Sequence, residues 1–151
     1  MTITYLIGIG SNLPQNDLSG CDLLQSVVAE LTEASSRPPR RSRWFQTPAY
    51  PAGSGPDFVN GAIEVDSSLP PKDFLSLLHN LEADFGRKRL KRWGPRTLDL
   101  DLLAAGDTVL PDIATWQHWH DLSHEQQLAE TPQTLVLPHP RLQDRSFVLV
   151  P

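Results

Sequence analysis

The sequence predicts an α+β fold, an antiparallel sheet with helices packed on it, and three observations carry that prediction. Residues Phe58 to Asp66 alternate cleanly, with Val59, Gly61, Ile63 and Val65 on one face and Phe58, Asn60, Ala62 and Glu64 on the other. Two other segments repeat apolar residues at helical spacing. Read in order, the elements run strand, helix, strand, strand, helix, strand.

Each element has its own local reason. Thr4 to Gly10 (TYLIGIG) is a short apolar run that reads as a buried strand, followed by a polar turn containing Pro14. From about Leu18 to Ala34, the spacing of Leu24, Val27, Val28 and Leu31 predicts an amphipathic helix that Pro38 and Pro39 end. Arg41 to Thr47 reads as a second strand stopped by Pro48, and the Pro- and Gly-rich stretch Pro48 to Asp57 as an exposed loop. Pro70 and Pro71 suit a helix start. The stripe of that helix is Phe74, Leu78, Leu81 and Phe85, with Gly86 as its C-cap. Leu98 to Leu103 is the next strand. Residues 104–133 form a polar excursion, and Leu135 to Leu137 and Phe147 to Val150 are expected to add short strands. The order is the split β-α-β arrangement of ferredoxin-like folds.

Composition bounds the function. One domain over residues 1–151 is expected, since a chain of 151 residues buries roughly 70% of its unfolded surface without staples. The lone Cys21 forms no internal disulfide and reads as a small buried helix residue. With no leader-like segment and no apolar run of membrane-spanning length, we expect a cytoplasmic protein without membrane partners. A net charge of -5 argues against general nucleic-acid affinity. Yet ten of the thirteen basic residues sit in two groups, Arg37–Arg43 and Arg87–Arg96, a pattern that suits a small polyanionic ligand.

The most informative run is RWGPRTLDLDLL, Arg92 to Leu103. In a strand, Asp99 and Asp101 project from one face with Cα atoms roughly 7 Å apart. Carboxylates so placed can converge on hard cations, which in two-metal sites lie roughly 3.5–4 Å apart. Magnesium fits best, because it prefers oxygen ligands and completes its shell with substrate phosphates. The alternative is a solvated strand face. Leu98, Leu100 and Leu102 fix the opposite face in the core, and Arg92 and Arg96 lie just upstream, so a metal-bridged phosphate chain gives both charge sets a partner.

At these residues the chain resembles the hydroxymethyldihydropterin pyrophosphokinases of folate biosynthesis. The same resemblance extends to IGIGSNL (Ile7 to Leu13), FQTPAY with PDFVN (Phe45 to Asn60) and PHPRLQDRSFVLVP (Pro138 to Pro151), in the right order. It implies a ferredoxin-like enzyme that transfers the terminal diphosphate of ATP to the hydroxymethyl group of a reduced pterin, releasing AMP. By this resemblance Asp99 and Asp101 bind two Mg2+ ions that bridge the ATP phosphates, and Arg87 and Arg96 hold phosphate oxygens. Arg92 and Trp93 belong to a loop that closes over ATP, while Glu82 and His139 line the nucleotide site. Thr47, Pro48, Phe58, Asn60 and Phe147 match the pterin pocket, with Arg145 beside it. Read from the residues alone, Phe58 and Phe147 suit a core as well as a ring sandwich. A monomer acting on small molecules is expected.

The chain departs from the family pattern in four places. The basic loop after Gly86 is one residue shorter, the 104–133 segment is longer, a basic nucleotide contact near Thr134 is missing, and the sequence stops at Pro151 where relatives continue. Altered ATP affinity is the expected consequence. His118, His120 and His124 in the excursion read as part of a helical insertion rather than a zinc site, which wants four ligands. Trp116 and Trp119 are expected to cover a hydrophobic surface. Two rival readings are a relative that binds pterin or nucleotide without catalysis and an RNA-binding module of the same topology. The second lacks the aromatic RNA-binding pattern.

Overall fold

The computed structural model describes residues 1–11, 20–48, 57–87 and 98–151. Its first elements are β1 (Ile3–Ser11), α1 (Gly20–Glu33), β2 (Arg40–Arg41), β3 (Phe45–Thr47), β4 (Phe58–Ser67), α2 (Pro71–Arg87) and β5 (Asp99–Ala105). They are followed by α3 (Ile113–Asp121), α4 (His124–Ala129), a 3-10 turn (Leu142–Asp144) and α5 (Ser146–Leu149). Strand β1 lies between β4 and β5 and is antiparallel to both, while β2 and β3 pair with β4. With β2 and β3 counted as one interrupted strand, this is the α+β, ferredoxin-like order expected from the sequence.

Alternation decides which face is dry. Tyr5, Ile7 and Ile9 of β1, Ile63 and Val65 of β4, and Leu100 and Leu102 of β5 share one core with the stripes of both long helices. Those stripes are Leu24, Val27 and Leu31 of α1, and Phe74, Leu78, Leu81 and Phe85 of α2. Each large side chain so buried stabilises the fold by about 1.5–3 kcal/mol. Tyr5 stacks on Phe74 with ring centroids 3.9 Å apart and donates its hydroxyl to the Leu69 carbonyl at 2.6 Å. Helices α1 and α2 therefore cover one face. The other carries the remaining set: Gly8, Gly10, Asn60, Ala62, Asp99 and Asp101.

Several local expectations are corrected. Arg41 to Thr47 is not one strand, because between the pairs Arg41–Ile63 and Phe45–Asn60 the edge holds one residue more than β4. The surplus is absorbed as a bulge at Ser42, whose amide donates to the Ala62 carbonyl and whose Oγ accepts from the Ala62 amide, both at 2.9 Å. The bulge lays Trp44 against Gly61, where a Cβ would stand 2.5 Å from the indole. Phe147 to Val150 is helical, not extended: Leu149 and Val150 donate to the carbonyls of Arg145 and Ser146 at 3.0 and 2.9 Å. A four-residue apolar run has no period to tell the two apart. Leu135 to Leu137 contributes a single bridge, Leu110 to Leu137. Helix α2 continues past Gly86 to Arg87, and Cys21 is only partly buried.

Three arginines of the first basic group are also spent internally. Arg37 is ion-paired with Asp66 and lies 3.6 Å from Glu64, and Arg40 grips Glu64 through two hydrogen bonds of 3.0 and 2.7 Å. That pairing holds the Glu64 carboxyl below its usual range. Arg41 sits over the Trp44 ring at 4.5 Å.

Because Gly61 leaves no room beneath Trp44, Gly61→Ala is expected to destabilise the protein by about 1–3 kcal/mol. Urea unfolding monitored by tryptophan fluorescence checks this, and an unchanged midpoint would contradict the packing.

Candidate functional site

The sheet register assembles the site. Gly10 pairs with Asn60 on one side and Asp99 on the other, and Gly8 pairs in the same way with Ala62 and Asp101. Opposed residues share a face, so an amide, an apolar residue and two carboxylates flank a strip with no side chains. At Gly10 a Cβ would lie 2.5 Å from Asn60 Oδ1, so any side chain there would displace the Asn60 amide. Over this floor opens a cleft of about 510 Å³.

The cleft gathers most of the expected residues. Thr47, Pro48, Phe58 and Asn60 line it on the β3 and β4 side and Asp99 and Asp101 on the β5 side, and Arg145 and Phe147 line it as well. Asn60 donates through Nδ2 to Thr47 Oγ1 at 2.6 Å, which fixes the amide plane and leaves its carbonyl oxygen and second N–H for a heterocycle edge. The Arg145 guanidinium lies 3.7 Å from Asp101 and 5.8 Å from the Phe147 ring centroid, so it links the acidic and aromatic parts.

Two further expected residues sit beside the cleft, on the free edge of β5. Glu82 of α2 accepts the Leu100 amide at 2.6 Å, between the two aspartates. Burial first, and then the nearby Asp99 and Asp101, push its carboxyl above the usual range, against the pull of the Leu100 hydrogen bond. A second bulge, where Ile7 pairs with Leu102 but Leu6 with Ala104, sets Leu103 apart from the ladder. The Leu103 carbonyl receives the His139 amide at 2.7 Å. Burial, reinforced by Arg145, holds the His139 imidazole below its ordinary value. Its Nδ1 accepts from the Arg141 amide at 3.1 Å, so the neutral ring carries its proton on Nε2.

Arg92, Trp93 and Arg96 lie outside the described residues, as does the Arg87 side chain. Sequence reasoning missed the glycine floor and the Arg141 amide that orients His139. Glycine at alternate positions of a strand was the available signal for the first.

The residues present suit magnesium. Asp99 and Asp101 offer oxygen donors on one face of an open cleft. Among the described residues, no group of three or more His, Cys, Asp or Glu side chains is gathered to hold a metal. A carboxylate pair that leaves the remaining positions to water and phosphate oxygens is the donor set this cation prefers. In the excursion, His120 pairs instead with Asp121 at 2.8 Å and lies against Trp116.

Comparison with known proteins agrees with this geometry. The sequence model of the 7,8-dihydro-6-hydroxymethylpterin-pyrophosphokinase (HPPK) family matches residues 6–151. A 2-amino-4-hydroxy-6-hydroxymethyldihydropteridine pyrophosphokinase of Synechocystis sp. is 37% identical over 147 residues, covering 97% of this chain and 63% of the relative. Proteins of the same description from Methylorubrum extorquens and Bacillus subtilis are each 32% identical, covering 100% and 96% of this chain and 80% and 73% of their own lengths. The chain thus spans less than two thirds of the cyanobacterial relative. Among the described residues no helix is long and apolar enough to cross a membrane.

Glu82 yields a pH prediction. Its folded value is raised, so its contribution to stability is full below the unfolded value and is lost as pH rises through the folded one. Glu82→Gln keeps an oxygen for the Leu100 amide but removes the charge. Without metal, the variant is expected to melt higher than the wild type near pH 7 and to converge with it near pH 4. Thermal unfolding at the two pH values checks this, and an advantage that grows on acidification would contradict it.

Proposed function

The chain belongs to the 7,8-dihydro-6-hydroxymethylpterin-pyrophosphokinase family, and on that premise we propose that it transfers diphosphate from ATP to the hydroxymethyl group of 6-hydroxymethyl-7,8-dihydropterin in folate biosynthesis. The observation that carries the reading is the division of one cleft into an aromatic, amide-bearing part and an acidic part, with the glycine floor between them.

A pterin is flat, aromatic and rimmed with donors and acceptors. Phe58 and Phe147 supply ring contacts, each worth roughly 0.5–1.5 kcal/mol beyond burial. The Asn60 amide, held by Thr47, reads the heterocycle edge, and Pro48 closes the rim. The hydroxymethyl group then points across Gly8 and Gly10 toward Asp99 and Asp101. In the transfer the hydroxyl oxygen bonds to the β-phosphorus, the bond from that phosphorus to the α-phosphate bridging oxygen breaks, and AMP departs as the hydroxyl proton is lost. Such reactions need alignment and charge neutralisation more than covalent help.

Two magnesium ions held by Asp99 and Asp101 would neutralise phosphate oxygens and orient the triphosphate. The protein's own groups do the rest. His139 presents Nε2–H to an anionic oxygen, Glu82 holds the metal-binding strand from its edge, and Arg145 bridges acidic and aromatic parts. For Arg87, Arg92, Trp93 and Arg96, family resemblance alone supports a role in binding the triphosphate. A charge-assisted hydrogen bond contributes roughly 1.5–3 kcal/mol, while enzymatic acceleration requires at least about 8 kcal/mol, so no single arginine suffices. The protein acts as one domain, a cytoplasmic monomer with small-molecule substrates.

Incubation with ATP, magnesium and the reduced hydroxymethylpterin is expected to release AMP; ADP, or no adenine product, would count against diphosphate transfer. Asp101→Ala should lower turnover by about two to three orders of magnitude with an unchanged circular dichroism spectrum, and near-normal turnover would remove the metal assignment. Phe147→Ala should weaken pterin binding roughly ten-fold and ATP binding much less, as calorimetry would show. The opposite ranking would reject this pterin pocket.

A further inference from the structure

Between β5 and His139, Leu110, Leu135 and Leu137 reach the core, but the two helices they flank are not accounted for by it. Helices α3 and α4 bury no residue, and Ile113 and Leu128 are largely exposed. What this segment does possess is a directed attachment. Leu110 and Leu137 exchange two backbone hydrogen bonds of 2.9 and 3.1 Å, and Trp116 Nε1 donates to the Pro138 carbonyl at 2.8 Å. Proline has no amide to give, so its carbonyl is the backbone handle by which residue 138 can be held. The next residue is His139, whose amide is fixed to Leu103, two positions beyond Asp101.

Trp116 is itself aimed. Asp112 caps α3, accepting the Thr115 amide at 2.7 Å and the Thr115 hydroxyl at 2.9 Å, while the Trp116 amide donates to the Asp112 carbonyl at 2.9 Å. The His120 ring, one turn on, lies 4.9 Å from the indole. Residues 137–139 are thus clamped between the excursion on one side and β5 on the other.

We infer that Trp116 is a positioning residue for the nucleotide side of the cleft, fixing the Pro138 carbonyl so that His139 keeps one orientation beside Asp101 and Arg145. This rests on the reading that His139 serves ATP. The plainer account is that a part-buried indole N–H merely finds an acceptor. The two accounts differ in which substrate feels its loss.

Trp116→Phe retains an apolar ring and deletes the donor. The dissociation constant for ATP is expected to rise about three- to ten-fold, as suits one lost hydrogen bond, with that for the pterin staying within about two-fold. In the ligand-free protein, hydrogen exchange should accelerate at the His139 amide and not in α1 or α2. Trp119→Phe, altering the neighbouring indole that meets His118 edge-on, is the control expected to change neither quantity. Equal weakening of both ligands, an unchanged ATP constant, or the same result from Trp119→Phe overturns the inference. A wild-type chain that binds ATP yet forms no AMP refutes the activity alone, because binding and exchange still decide the role of Trp116. A wild-type chain that binds no ATP overturns both.

Discussion

Simultaneous antiparallel pairing of β1 with β4 and β5 is the constraint from which the site follows. Opposed residues share a face, so the rows Asn60–Gly10–Asp99 and Ala62–Gly8–Asp101 are settled as soon as the register is. The register is in turn held from the other side of the sheet. Leu98, Leu100 and Leu102 are each no more than 5% exposed, and a slip of one residue would drive Asp99 and Asp101 under the helices. The positions of the two carboxylates are therefore secured in large part by apolar burial on the opposite face.

Negative charge is concentrated around β5. Glu82 sits close enough to both aspartates for their charge to add to the effect of burial on its own ionisation. The nearest described guanidinium, that of Arg145, is 3.7 Å from Asp101 in a pair whose side chains are 34% and 40% exposed, a geometry that contributes little. Arg37, Arg40 and Arg41 of the first group do not help, because they are committed to Glu64, Asp66 and Trp44 at the far edge of the sheet.

The sequence made the dry face legible because it has a period. The stripes of α1 and α2, the alternation of β4 and the D-x-D pattern of β5 all translate directly into position. The cleft residues Thr47, Pro48, Phe58, Asn60, Arg145 and Phe147 were reached through motif resemblance, and the structure brings them to one place. What escaped was aperiodic. The bulges at Ser42 and Leu103 arise from a mismatch of one residue between partner strands, which no single strand reveals. Phe147 to Val150 turned out helical because carbonyls at Arg145 and Ser146 were available to its amides. The charge pattern of Arg37–Arg43 looked like a ligand field because its acidic partners are some two dozen residues away in sequence.

The edge of β5 shows how protection and function can share residues. An edge strand presents unpaired amides and carbonyls that invite association with other chains. Here α2 sends Glu82 to the Leu100 amide, and the chain returning from the excursion sends the His139 amide to the Leu103 carbonyl. That return cannot become a further full strand, because Pro138 and Pro140 on either side of His139 have no amide to offer. One backbone bond is what the segment can give, and the bulge at Leu103 is what receives it. The edge is blocked against extension by two point contacts, one between the aspartates and one just beyond them, so the face that carries Asp99 and Asp101 is left open to the cleft.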